Sequence, residues 1–273
     1  MRIVVKIGGA QLSEESALSD LACSVRAATH VGHSVAIVHG GGDQMRAWSR
    51  RLGIEDSYHE GLRITDADTA EVALAVLGGL VNRQLVQALE RAGVRAAGLT
   101  GADGSTFCAR AHKPGGHDLG FVGAIHETRT GLLETMLHGK TVPVIASVAP
   151  LSPHAPGDHS RFYNINADMA AGPIACALGA HALLFLSDVP GVKGSDGETV
   201  ARLDADECDD MRTGGVLKSG MLPKVSAALA ALEARPRMLV KIAPAGGTNA
   251  ILDAMDAATG TTFANAAKEL GHG

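Results

Sequence analysis

A chain of 273 residues, 46% hydrophobic, is long enough to bury a substantial core as one large α/β domain or two lobes. A formal net charge of -5, with 34 glycines but one Trp, two Tyr and five Phe, excludes a basic footprint for nucleic acid and stacking platforms for bases. Cys23, Cys108, Cys176 and Cys208 form no C-x-x-C pair and the 12 histidines show no H-E-x-x-H spacing, so neither a metal site nor a secreted disulfide framework is expected.

The opening stretch reads Arg-Ile-Val-Val-Lys-Ile-Gly-Gly-Ala. Ile3, Val4, Val5 and Ile7 predict a buried strand, interrupted by Lys6 and ended by Gly8 and Gly9. Such an ending sets an ammonium and bare backbone N–H groups at a sheet's carboxyl edge, where open α/β sheets bind ligands. Alone, the stretch reads equally well as a snorkelling lysine before a tight turn. Because the chain starts directly on this strand, and no apolar run is read as able to cross a bilayer, a cytosolic protein without a membrane partner is expected.

Ser13 is the expected cap of a helix with Glu14 and Glu15 in its first turn and Leu18, Leu21, Ala22 and Val25 on its buried face. A second strand, Ser34–Val38, ends in His39-Gly40-Gly41-Gly42, and the helix over 43–51 puts Met45, Trp48 and Leu52 on one side. Strand, glycine turn and helix, twice over, predict a parallel sheet with right-handed crossovers. Residues 58–65 read as a loop, and Thr65 or Asp66 caps a long helix to Arg91. Gly78 and Gly79 inside that helix cost roughly 1 kcal/mol each, offset by close packing on another backbone, for instance a second subunit's.

A third strand is expected over 94–100, a hairpin over 106–125, a helix over 131–138 and a strand over 142–148, then a surface loop over 152–160. The second half repeats the theme: helix 168–178, strand 182–186 with the turn 187–192, loop 214–218, helix 222–234, strand 238–242, helix 248–255 and strand 260–263. The histidines read mostly as surface or loop residues, and the tail from Ala266 carries no motif.

Seven motifs stand in order: Val-Lys-Ile-Gly-Gly, Val-His-Gly-Gly-Gly, Gly-Leu-Arg-Ile-Thr, Asp-Leu-Gly-Phe-Val-Gly, Tyr-Asn-Ile-Asn-Ala-Asp, Leu-Ser-Asp-Val-Pro-Gly-Val and Gly-Met-Leu-Pro-Lys-Val. Together, from about Ile3 to Phe263, they resemble the amino acid kinase family, and within it the branch that acts on N-acetyl-L-glutamate. The resemblance implies an α/β fold, a three-layer αβα sandwich with an open, mainly parallel central sheet. It implies one domain over 1–273, with an acceptor-binding and dimerising lobe over 1–165 and a nucleotide-binding lobe over 166–265. The implied reaction is ATP-dependent phosphorylation of the substrate's side-chain carboxylate in arginine biosynthesis, with Mg2+ carried by the nucleotide, in a cytoplasmic homodimer.

By the same resemblance, Lys6 and Lys224 are the catalytic cations and Asp168 orients them. Gly8 and Gly9 serve the transferring phosphoryl group, and Gly41 and Gly42 cradle a carboxylate. Arg63 grips the other carboxylate, and Asn164 and Asn166 bind the acyl-amino part. The nucleotide is expected over Asp188, Val189, Gly191 and Lys193, with Lys218 beside it. Lys218 and Arg83 depart from the family's usual residues. The chemistry agrees, because transfer between two anions rests on positioning and cations, and an ionised carboxylate needs no general base.

Read without the resemblance, Asp168 is a helix cap, a surface acid or an orienter. Lys224 is a solvated helix lysine, and Arg63 a loop arginine paired with Glu60 or Asp66. Two other functions stay open: the same chemistry on carrier-linked aminoadipate or glutamate, with Arg46, Arg50 and Arg51 as a basic rim, or a silent amino acid sensor. A P-loop and a dinucleotide fingerprint are both absent from the sequence.

Overall fold

Residues 1–217 and 220–265 are described in the computed structural model, and the β-branched run at the start forms the centre of an eight-stranded sheet. Lys218 and the tail from Ala266 lie outside the described residues. The strands are β1 (Arg2–Ile7), β2 (Ser34–His39), β3 (Tyr58–His59), β4 (Leu62–Arg63), β5 (Ala96–Leu99), β6 (Phe107–Ala111) and β7 (Val122–Thr128). They continue with β8 (Val142–Ala146), β9 (Val148–Pro150), β10 (Phe162–Ile165), β11 (Ala182–Ser187), β12 (Arg202–Leu203), β13 (Leu239–Pro244) and β14 (Thr261–Phe263). The helices are α1 (Glu15–His30), α2 (Gly42–Arg51), α3 (Ala67–Ala73), α4 (Asn82–Arg91), α5 (Gly131–His138), α6 (Ala167–Ala177), α7 (Ala205–Thr213), α8 (Leu222–Ala234) and α9 (Ala250–Asp253).

The large sheet runs β12-β14-β13-β11-β1-β2-β8-β5. β1 pairs in parallel with β2 (Ile3 opposite Val35) and with β11 (Ile3 opposite Ala182). β14 is antiparallel to β13. Strands from the first half of the chain lie on one side of β1 and strands from the second half on the other. That makes the carboxyl end of β1 a topological switch point, where such sheets hold ligands.

Both faces of the sheet are covered, which gives three layers. Ile3, Val5 and Ile7 pack in one core with Leu21, Val25, Val76 and Leu85 of α1 and the long helical stretch. Val4, Val38 and Phe185 pack in the other with Ala170, Ile174 and Ala228 of α6 and α8. Alternation along β1 therefore turns Lys6 to the α6–α8 side. A smaller sheet, β6-β7-β10-β9, and the hairpin β3–β4 stand beyond the carboxyl ends of β2 and β8. Ile165 N donates to Ser147 O (2.9 Å), and Phe121 N donates to Thr65 O (2.7 Å).

Departures from the sequence reading have local causes. The Ser13 hydroxyl donates to the Gly9 carbonyl (3.1 Å) instead of capping α1, which begins at Glu15 without a side-chain cap. Asp66, not Thr65, caps α3 by accepting from Thr69 N (2.8 Å). Leu52 is exposed, and the segment read as a loop is the hairpin β3–β4, turned by Glu60 and Gly61 at φ 48° and 79°. β10 and α7 are additional elements, and Asp204 and Glu207 form a capping box on α7.

The long helix is π-helical over Leu74–Val81, between α3 and α4. A Cβ on Gly78 would lie 3.0 Å from Thr100 Cγ2, so this glycine packs on side chains of its own chain, whereas Gly79 faces open space. Contrary to the sequence reading, Ala67–Arg91 is long and apolar enough by composition to cross a bilayer. Its Val72, Val76, Val81, Leu85 and Leu89 are buried against the sheet, the arrangement of a core helix.

Candidate active site

The functional residues gather where β1, β2 and β8 end. One carboxylate oxygen joins two lysines: Asp168 Oδ1 lies 2.7 Å from Lys6 Nζ and 3.0 Å from Lys224 Nζ. All three side chains are largely shielded, at 6%, 14% and 10% exposure for Lys6, Asp168 and Lys224. Burial pulls the Lys6 ammonium down to about 8; Asp168 opposes that fall and the neighbouring Lys224 adds to it. Burial pushes Asp168 up, but the two lysines outweigh it and hold the carboxyl below its ordinary value.

Helix placement sharpens the charge balance. Asp168 sits in the first turn of α6, where a carboxylate suits the helix dipole, and Asn166 caps that turn by accepting from Asp168 N (2.9 Å). Asn166 thus takes the capping role that Asp168 could have filled. Lys224 sits in the first turn of α8, against the dipole's preference, and its bond to Asp168 compensates.

The two glycine turns meet beside this triad. A Cβ on Gly9 would fall 3.2 Å from Gly42 N and 3.3 Å from Asp43 N, amides at the uncapped start of α2. Gly8 N donates to Gln11 Oε1 (3.2 Å). Gly40 packs on Ala167 and Gly41 on Leu77, where a Cβ would be 3.3 Å and 2.8 Å from their side-chain carbons. Gly42 alone of the three has open space beside it.

A pocket of about 280 Å³ opens on these turns, lined among others by Gly41, Gly42, Arg63, Arg46, Asn164 and Asn166. Arg63 is buried, bonds Asp56, donates to Gly42 O (3.4 Å) and lies 4.9 Å over the Tyr58 ring. Asp56 thus replaces the Glu60 or Asp66 partner considered from sequence. Burial, then the nearby Arg46 charge, lowers the Arg63 guanidinium. Of the basic residues read as a rim, Arg46 lines the pocket, while Arg51 stacks 5.1 Å over Trp48.

On the other side of the triad, Asp188, Val189, Gly191 and Lys193 form the loop after β11, and Ala245 N, just beyond β13, donates to Ser187 O (2.7 Å). A Cβ on Gly191 would lie 2.7 Å from Thr261 Oγ1, which accepts from Val192 N (2.8 Å), so this loop is pinned to β14. Lys193 is exposed. Sequence reasoning missed Tyr58, Asp56 and the buried His39; only the position of His39 at the end of an apolar strand could have flagged it.

The family model described as the amino acid kinase family matches residues 1–241. A protein named acetylglutamate kinase from Koribacter versatilis is 42% identical over 234 residues, covering 86% of this chain and 87% of that protein. Another of that name from Acidobacterium capsulatum is 43% identical over 232 residues, covering 85% and 86%. Among solved structures, smu.665 from Streptococcus mutans superposes with a TM-score of 0.81 at 26% identity, covering 96% of this chain and 98% of that one.

Proposed function

Because the chain belongs to the amino acid kinase family, we propose that it transfers the γ-phosphoryl group of ATP to the side-chain carboxylate of N-acetyl-L-glutamate, a step of arginine biosynthesis. The observation that carries this reading is the single Asp168 oxygen aiming two buried ammonium groups beside a pocket with two guanidinium groups. Two cations suit a dicarboxylate acceptor, and apolar Met45, Leu62 and Leu77 give the pocket room for a methylene chain.

In this mechanism Lys6 and Lys224 neutralise charge that spreads over the transferring group, and the bare amides of Gly9, Gly42 and Asp43 hold the anions apart yet aligned. Arg63 fixes the remote carboxylate, and Asn164 and Asn166 serve the acetamido group. MgATP would be held over Asp188–Lys193, so residues 1–165 together with Asn166 serve the acceptor and the following residues to 265 the nucleotide, in one cytoplasmic domain. Hydroxylamine trapping of acyl phosphate, with N-acetylglutamate, glutamate and 2-aminoadipate offered side by side, tests the assignment. Turnover with N-acetylglutamate alone is expected; silence with all three would contradict it.

Three further outcomes are expected. Lys6 must be protonated to act, so kcat/KM should fall as pH rises through about 8, and a profile flat to pH 10 would contradict that role. Arg63→Lys keeps the charge but loses the planar fork. It should raise the acceptor KM roughly tenfold while the ATP KM stays unchanged, measured by initial rates. Leu80 on the long helix, 38% exposed beside Trp48 of α2, offers an apolar face for a second copy. Sedimentation equilibrium should return a dimer that Leu80→Glu dissociates.

A further inference from the structure

The end of β2 carries a buried polar chain that the reaction scheme does not use. His39 is fully buried, with Nδ1 2.9 Å from Gly40 O and Nε2 3.0 Å from Asn82 Nδ2. Asn82 Nδ2 also donates to Val144 O (2.8 Å), and its Oδ1 accepts from Arg83 (2.6 Å). Donors and acceptors are consistent in one direction only. Gly40 O and Val144 O can only accept, so Nδ1 carries the proton and Nε2 accepts from the amide. Burial depresses the imidazole to about 4, which keeps it neutral and in that tautomer.

Space has been cleared for this chain. A Cβ on Gly98 of β5 would fall 1.6 Å from Asn82 Oδ1, so only glycine there lets Asn82 reach β8 and β2 together. At the other end, the peptide between Gly40 and Gly41 is planar, and bonding its carbonyl aims the Gly41 N–H the opposite way. Gly40, Gly41 and Gly42 line the acceptor pocket on that side.

We propose that His39, oriented by Asn82, is a positioning residue that holds the Gly40–Gly42 turn in the rotation that presents its amides to the acceptor carboxylate. The inference rests on the acceptor reading of that pocket. A core histidine that merely fills space would leave substrate kinetics alone once the fold is intact. A positioning residue affects the acceptor and spares the nucleotide.

The test combines kinetics of His39→Leu and His39→Asn with nitrogen-15 NMR of the histidine ring in the wild-type protein. His39→Leu should lower kcat/KM for N-acetylglutamate roughly 10–100-fold with the ATP KM unchanged. His39→Asn keeps a donor near the Nδ1 position and should recover most of that loss. The wild-type ring should report a neutral Nδ1–H tautomer, a readout that holds even if the leucine variant fails to fold. An Nε2–H tautomer, or a folded His39→Leu enzyme with unchanged acceptor kinetics, would overturn the positioning role. A wild-type enzyme inert toward N-acetylglutamate would overturn the acceptor reading instead, with the tautomer still deciding the bond to Gly40.

Discussion

Lys6→Ala is expected to lower kcat by about 10³-fold while both KM values change little. A cation acting on a transferring phosphoryl group contributes roughly 10³–10⁵ in rate, and single donors to developing charge contribute roughly 10²–10³. The lower end applies here because Lys224 remains 3.0 Å from Asp168 and still faces the same side. The fold should persist, since Asp168 keeps one partner and β1 keeps its pairing with β2 and β11. Circular dichroism checks the fold and steady-state kinetics the rate. A well-folded variant within tenfold of wild type would remove Lys6 from the chemistry.

Asp168→Asn is the second large effect, and it separates an orienting carboxylate from a general base. Without the carboxylate, two ammonium groups share a buried site with no counter-charge among the described residues. Asp168 is the influence that raises Lys6, whereas burial and Lys224 lower it. Its removal should therefore drag the alkaline limb of kcat/KM from about 8 to lower pH, with about a 10²-fold loss at neutral pH. A lost general base would instead remove an acidic limb.

Breaking such a pair also costs stability, up to roughly 3–5 kcal/mol at neutral pH. The sign of its pH dependence follows from the lysine. Folded Lys6 would titrate below about 8 and unfolded lysine at 10.5, so in between the unfolded state binds more protons. Stability of Asp168→Asn should rise with pH across that window, and denaturant unfolding at several pH values measures it.

Local chemistry made much of the site legible. The β-branched run, the lysine inside it and the two glycines are neighbours in sequence, so strand, charge and bare amides follow from a few consecutive residues. Asp168 and Lys224 were legible only through the order of motifs, because their meeting depends on α6 packing against α8. Arg63 was found, but its partner Asp56 was not, since the β3–β4 hairpin decides which acid lies beside it. His39 shows the opposite limit, as residue type suggested a surface while tertiary burial made it a neutral core group. The capping box of α7 was a readable local signal, whereas β10 was not, because its four residues pair with β7 and β9 at long range.

Direct attack of the acceptor's carboxylate on the γ-phosphorus is reported by oxygen-18. The enzyme would turn over MgATP with N-acetylglutamate labelled in its side-chain carboxylate, in the presence of hydroxylamine. Hydroxylamine attacks the acyl carbon, so the bridging oxygen leaves with phosphate. Mass spectrometry should find one labelled oxygen in the released phosphate. Unlabelled phosphate, or label carried instead in AMP, would contradict direct phosphoryl transfer and the roles assigned to Lys6, Asp168 and Lys224.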